Sequence, residues 1–142
     1  MRMIVAAVAF LFAVSLSGQV SAGERGGFIP AQTKCPISGK SVDGSFFADV
    51  DGFRVLTAGQ AEADQVLKNP GKAFNALAKN REAAEPIVWV CPSMKQGVSR
   101  EYPYVQQSGK RIYYCCGPCQ PRIRNNFKAA AAEMKRLAEQ GS

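Results

Sequence analysis

The sequence predicts an α+β fold made of two small units, each a β-hairpin followed by a helix. Three observations predict it. Dipeptides of turn-forming residues, Asp51-Gly52 and Ser108-Gly109, separate short runs rich in aromatic and β-branched residues. Apolar residues at helical spacing follow both hairpins. Finally, the second half of the chain repeats features of the first at a nearly constant offset.

In the first unit, Phe46 to Val50 and Phe53 to Leu56 flank Asp51-Gly52, a strong hairpin signal because the turn requires positive φ. Val66 and Leu67 then precede Asn69-Pro70-Gly71, and Phe74 and Leu77 follow. Pro70 should split this helix into two short pieces. Lys79 to Pro86 reads as a polar connector, and Ile87-Val88-Trp89-Val90 as a short buried strand leading into Cys91. In the second unit Tyr102 to Gln106 and Arg111 to Tyr114 flank Ser108-Gly109. Ile123, Phe127, Ala130, Met134 and Leu137 then share one helical face, which makes Met134 a core residue rather than a ligand.

The repeat is sparse but consistent. Residues 51–55 match 108–112 at an offset of 57, which also pairs Val66 with Ile123, Asn69 with Asn126 and Leu77 with Met134. Cys35-Pro36 recurs as Cys91-Pro92 at an offset of 56. Units of this size bury too little surface to be secure alone and need a metal, a disulfide or each other.

The beginning of the chain reads as a secretory signal peptide, residues 1–22. Arg2 supplies the positive start, Met3 to Leu16 the apolar run and Val20-Ser21-Ala22 the small-residue cleavage pattern. The run is shorter than the roughly 20 residues that span a bilayer. Residues 23–34 form an extension, 35–80 the first unit, 81–90 a linker and 91–142 the second unit. The expected location is periplasmic or extracellular, an oxidising compartment, with no stable membrane insertion after cleavage. Nucleic acid is not an expected partner there, despite the net charge of +7. That charge is localised. Residues 35–79 carry five basic and five acidic groups, whereas 91–142 carry nine basic against three acidic, a net of +6.

The chain has no histidine and five cysteines. A histidine general base, a Ser-His-Asp triad and any histidine-containing zinc site are excluded. Four of the cysteines, Cys91, Cys115, Cys116 and Cys119, lie in the second unit, and three of them straddle a strand end and a helix start. The helix dipole, with Arg122 and Arg124 in the next turn, should lower their thiol pKa values. Three arrangements compete. One is a site for a thiophilic metal, Zn(II) or Cu(I), on Cys91, Cys115 and Cys119, with Cys116 as fourth ligand or exchange thiol; Met94 could add a thioether but reads first as a plain loop or packing residue. Another is a dithiol redox site at Cys116-Gly117-Pro118-Cys119, although only 23 residues follow, too few for a thioredoxin-like fold. The last is a structural disulfide such as Cys91 to Cys119, in an interaction module whose basic second unit binds an acidic partner. Five cysteines cannot all pair within one chain, and a Cys115–Cys116 ring would be strained.

The second unit, from Cys91-Pro92 through Gly109-Lys110-Arg111-Ile112-Tyr113-Tyr114 to Cys115-Cys116-Gly117-Pro118-Cys119, resembles a TRASH-type or YHS-type metal-binding domain. Such domains are small treble-clef-like relatives of zinc fingers, with one early cysteine, a hairpin bearing Gly-Lys before an aromatic strand, and Cys-x3-Cys opening a helix. Cys91, Cys115 and Cys119 occupy those three positions, with a slightly long gap of 23 residues after Cys91. The first unit, from Cys35-Pro36-Ile37-Ser38-Gly39-Lys40 through Phe53-Arg54-Val55-Leu56, resembles the same domain more distantly. Ala58 and Glu62 stand at its Cys-x3-Cys positions, so it should hold no metal in that manner. The resemblance implies metal trafficking, resistance or sensing, with no catalysis; an exposed thiolate cluster could pass Cu(I) to a protein partner by ligand exchange. Cys35 is left as a buried remnant, a reach toward the second unit's site, or a bridge between chains. The oligomeric state is left open.

Overall fold

The computed structural model describes residues 30–141. The expected signal peptide and most of the extension after it lie outside the described residues. The fold is α+β, with hairpins followed by helices. The first unit contains β1 (Phe46–Val50), β2 (Phe53–Thr57), α1 (Gln60–Lys68) and α2 (Pro70–Lys79). A two-residue strand, β3 (Glu85–Pro86), follows. The second unit contains β4 (Tyr104–Gln107), β5 (Lys110–Tyr113), α3 (Cys119–Asn125) and α4 (Phe127–Gln140). Strands β1, β2 and β3 form one antiparallel sheet, and β4 and β5 another. Among the described residues no helix is long and apolar enough to cross a membrane.

The two hairpins close in the same way. Asp51 and Gly52 have φ of 51° and 84°, and Ser108 and Gly109 have 53° and 72°. Positive φ at both central residues defines a type I′ turn, whose twist matches that of the flanking strands. The helices repeat as well. Both units break between their helices at an asparagine, Asn69 and Asn126, separated by the 57-residue offset of the sequence repeat. At the first break Asn69 caps α2 by accepting a hydrogen bond from the Lys72 amide at 3.2 Å, and Pro70 begins that helix. Pro at the first helical position is well tolerated because its missing N–H would have no partner there.

The second break corrects the expectation of one continuous helix through Ile123 and Leu137. The apolar face persists across it, with Ile123 and Phe127 buried and Met134 only 1% exposed. The chain bends at Asn126 nonetheless, φ −127°. Periodicity is blind to such an elbow because the same residues face the core on either side. The only local sign is Asn126 itself, a residue suited to caps more than helix interiors.

Residues 87–90 also differ from expectation. They form no strand: all four are half-buried, Ile87 and Val88 are bends, and only Val90 makes a bridge, to Gly97. The connector makes its strand contacts earlier. Ala84 N–H donates to the Gly109 carbonyl at 2.9 Å, Arg111 N–H donates to the Ala84 carbonyl at 3.0 Å, and Ile87 N–H donates to the Gly52 carbonyl at 3.0 Å. The connector therefore lies between the two hairpin turns and bonds to both. Past Ile87 it must turn away, which carries Trp89 to Tyr113.

Close approach of backbone completes the arrangement. A Cβ on Gly52 would lie 2.7 Å from the Lys135 nitrogen in α4, and one on Gly109 would lie 2.1 Å from the Phe74 carbonyl oxygen in α2. Each unit's turn thus abuts the other unit's second helix. A single apolar cluster runs through both units, from Phe53, Val66 and Leu77 to Ile112, Ile123 and Met134. Neither half carries its own core, as its small size requires.

Gly109→Ala should therefore destabilise the protein by at least about 3 kcal/mol, since it adds backbone strain to a clash with main-chain atoms. Gly97→Ala, whose Cβ meets nothing within 4 Å, should stay within about 0.5 kcal/mol of wild type. Urea denaturation of the two variants measures the contrast.

Candidate metal centre

The cysteine site is assembled from a knuckle and a helix start. At the knuckle, Cys91 N–H donates to the Gln96 carbonyl and Lys95 N–H donates back to the Cys91 carbonyl, each at 2.8 Å. Lys95 takes φ of 58°, the left-handed conformation that closes the loop. The same knuckle is built around Cys35. There Cys35 N–H donates to the Lys40 carbonyl at 2.7 Å, Gly39 N–H donates to the Cys35 carbonyl at 2.9 Å, and Gly39 has φ of 72°. Each knuckle directs amides at its cysteine sulfur. Cys91 receives those of Cys115, Met94 and Ser93, and Cys35 those of Ser38, Ile37 and Ala58. These sets are equivalent positions in the two units.

The other two cysteines come from the loop after β5 and the first residue of α3. The sulfurs of Cys91, Cys115 and Cys119 all lie within 4.8 Å of one another. Cys115 and Cys119 are 4.0 Å apart. Thiolates bound at roughly 2.3 Å to one ion stand about 3.8 Å apart in a tetrahedron and about 4.0 Å apart in a trigonal plane. The group can hold a metal ion. Cys91 is 0% and Cys119 1% exposed, while Cys115 and Cys116 are partly exposed. Any ion would be reached from the Cys115 side.

The remaining candidates fall elsewhere. Cys116 lies with its sulfur 2.7 Å from that of Cys119 but outside the group of three. Met94 is 49% exposed, and its amide lies at Cys91. Cys35 is buried in its own knuckle, against the Ala58 backbone that stands where Cys115 stands in the second unit. Glu62, the counterpart of Cys119, lies in the first turn of α1.

The thiols do not all become more acidic, contrary to the expectation from the helix start. For Cys91, burial works upward, but the three amides at its sulfur bring it below the ordinary value. Cys116 is also lowered, chiefly by its contact with Cys119. That same contact, with burial, pushes Cys119 up to about 12. Cys115 is raised by burial and by neighbouring Cys91 and Cys116. The thiols act on one another at contact distance. These mutual contacts, with burial, account for the raised Cys115 and Cys119.

Supporting residues that sequence reasoning missed surround the site. Trp89, two residues before Cys91, packs on Tyr113, two residues before Cys115, with ring centroids 5.2 Å apart. Tyr113 donates to Glu85 at 3.1 Å, and Arg100 clamps the same carboxylate at 2.6 Å. Trp89 is the chain's only tryptophan, and its spacing from Cys91, matched by that of Tyr113 from Cys115, was the available signal. Lys95 of the knuckle pairs with Glu133 of α4, which also pairs with Arg136 at 2.6 Å.

The described residues define a small α+β protein with a three-cysteine group able to hold a metal ion. No protein-family model matches the chain, and no curated protein or solved structure is significantly similar to it.

The Glu133 pairs give the fold a measurable acid dependence. Arg136 and Lys95 hold this carboxyl down to about 2, against about 4.3 for an unperturbed glutamate. A lowered folded pKa adds stability above the unfolded value and loses it as pH falls through the folded one. The stability gap between wild type and Glu133→Gln should be full above about pH 5, then shrink toward pH 2. Denaturation midpoints across that range measure it; a gap independent of pH would contradict the pairing.

Proposed function

We propose that the protein is an exported carrier or sensor of a thiophilic metal ion, Cu(I) or Zn(II), bound by Cys91, Cys115 and Cys119. The observation that carries this reading is the convergence of three sulfurs within 4.8 Å, two of them buried. With no histidine in the chain, the donor set is sulfur, which suits these soft or borderline ions. Three thiolates around Cu(I) would be net −2, and around Zn(II) net −1. The +6 of residues 91–142 offsets either.

The resemblance to TRASH-type and YHS-type domains supports the same role: metal trafficking, resistance or sensing, with no catalytic step. On this reading the first unit is a degenerate copy that retains the knuckle and half of the shared core. The signal-peptide pattern supports a periplasmic or extracellular location. The partly exposed Cys115 offers an edge where a partner's thiolate could enter and take the ion by ligand exchange.

The reduced protein should bind about one Zn(II) or Cu(I) per chain, measured by elemental analysis after reconstitution. Cys91→Ser and Cys119→Ser should each abolish binding, whereas Cys35→Ser should retain most of it. Equal losses in all three, or no metal on the reduced wild type, would overturn the assignment.

Binding should also depend on pH in a fixed direction. Cys115 and Cys119, raised above the ordinary thiol value, are protonated at neutral pH, and an ion must displace those protons. Apparent affinity should therefore climb from pH 6 to pH 8, with protons released on loading. Chelator competition at several pH values, alongside proton release in weakly buffered solution, reads both.

A further inference from the structure

We propose that Cys119 forms two mutually exclusive bonds, one to the metal and one to Cys116, so that oxidation of the Cys116–Cys119 pair takes a ligand from the site and discharges the ion. The inference rests on the metal-binding reading above and adds a redox control to that site.

The geometry makes Cys119 the shared member. Its sulfur belongs to the group of three with Cys91 and Cys115, and it also lies 2.7 Å from the Cys116 sulfur. Cys116 is outside that group, and the Cys119 sulfur is the one in direct contact with it. All five cysteines of the chain are free thiols here. The two residues are separated by Gly117-Pro118, the Cys-x-x-Cys spacing at which vicinal thiols form and break disulfides readily. Sulfur in a disulfide has lost the negative charge with which a thiolate binds a metal. One atom therefore cannot serve both partners.

Accessibility orders the events. Cys116 is partly exposed, whereas Cys119 is 1% exposed. An external disulfide meets Cys116 before Cys119. The Cys116 thiolate attacks one sulfur of that disulfide, forming a mixed disulfide and expelling the first thiolate, which takes a proton from water. Cys119 then leaves the metal and attacks the Cys116 sulfur. The Cys116–Cys119 bond forms, the mixed disulfide breaks, and the second thiolate departs and is protonated in turn. The protein has lost two electrons, and the external disulfide has become two thiols. Cys91 and Cys115 remain as a two-thiolate fragment, too few protein ligands to hold Zn(II) in its usual coordination of three or four. Reduction of the pair restores the third ligand.

An exported protein meets such oxidants routinely. The pair would thus couple metal occupancy to the thiol-disulfide balance outside the cell.

The experiment uses the full mature chain loaded with Zn(II), and oxidised glutathione as the disulfide. Zinc loss is followed with a chromophoric chelator, each protein against its own starting load, and disulfides are mapped by mass spectrometry. Wild type should lose its zinc as a Cys116–Cys119 disulfide accumulates, and a reductant should restore binding. Cys116→Ser should lose its load at least tenfold more slowly. Cys35→Ser, altered outside the three-sulfur group and the pair, should follow wild type. Zinc loss from Cys116→Ser at the wild-type rate, or a disulfide joining any other pair as zinc leaves, would overturn the switch while leaving the metal reading intact. Absence of zinc from the reduced wild type would overturn both.

Discussion

Each hairpin turn is pressed against the second helix of the opposite unit, and nearly everything else follows from that reciprocal contact. Gly52 lies under Lys135 and Gly109 under Phe74, at distances no side chain could share. The connector between the units bonds to both turns, through Ile87 to Gly52 and Ala84 to Gly109. The apolar faces of four helices then meet in one cluster. A half this small has too little interior to persist alone, so the second unit's site depends on the first unit, which shares none of its ligands. Duplication followed by loss of one ligand set is compatible with such a division. In such a history the first unit would have to keep its core and its turn glycine, but not a full set of cysteines.

The comparison of the two knuckles makes that division concrete. Cys35 and Cys91 each sit at the mouth of the same hydrogen-bonded loop, with backbone amides directed at the sulfur. Those amides stabilise a thiolate whether or not a metal is present. What differs is what faces the knuckle. In the second unit it is Cys115 and Cys119; in the first it is the Ala58 backbone, and Glu62 stands at the sequence position that corresponds to Cys119. An alanine in place of the loop thiol leaves Cys35 with amides but no second sulfur, which accounts for a buried cysteine that takes no part in the three-sulfur group. A lysine in place of Gly39 at the left-handed position carries a strain of order 1 kcal/mol, and the Lys95–Glu133 pair ties that residue to α4.

Much of this was legible in the sequence because it is written in local chemistry. Asp51-Gly52 and Ser108-Gly109 announced their turns since few other residues accept positive φ. The 57-residue offset brought out the paired helices, and the Cys91, Cys115 and Cys119 spacing brought out the three sulfurs that converge. The parts that stayed hidden are those where a residue's role is set by something distant. The Asn126 elbow left the apolar period unbroken. Residues 87–90 are apolar like a strand, yet the connector's strand contacts are already made at Ala84 to Ile87. The acidity of the thiols was misjudged for the same reason. A helix dipole and two arginines can be read from a string of letters, but the 2.7 Å contact that dominates Cys119 cannot.

That contact also bears on why the site has four nearby thiols when three converge. A closed four-thiolate zinc site satisfies every sulfur with the ion and gains stability for the fold. Here the fold already has a shared core spanning both units, and the fourth thiol sits against one ligand instead of joining the group. The Cys119 sulfur faces the Cys116 sulfur that it would bond on oxidation. A bound ion would strip its proton. The arrangement therefore sets three demands on a single sulfur, from a proton, a metal and a second sulfur. Which of them prevails is decided by the solution around the protein: its pH, its free metal and its thiol-disulfide balance.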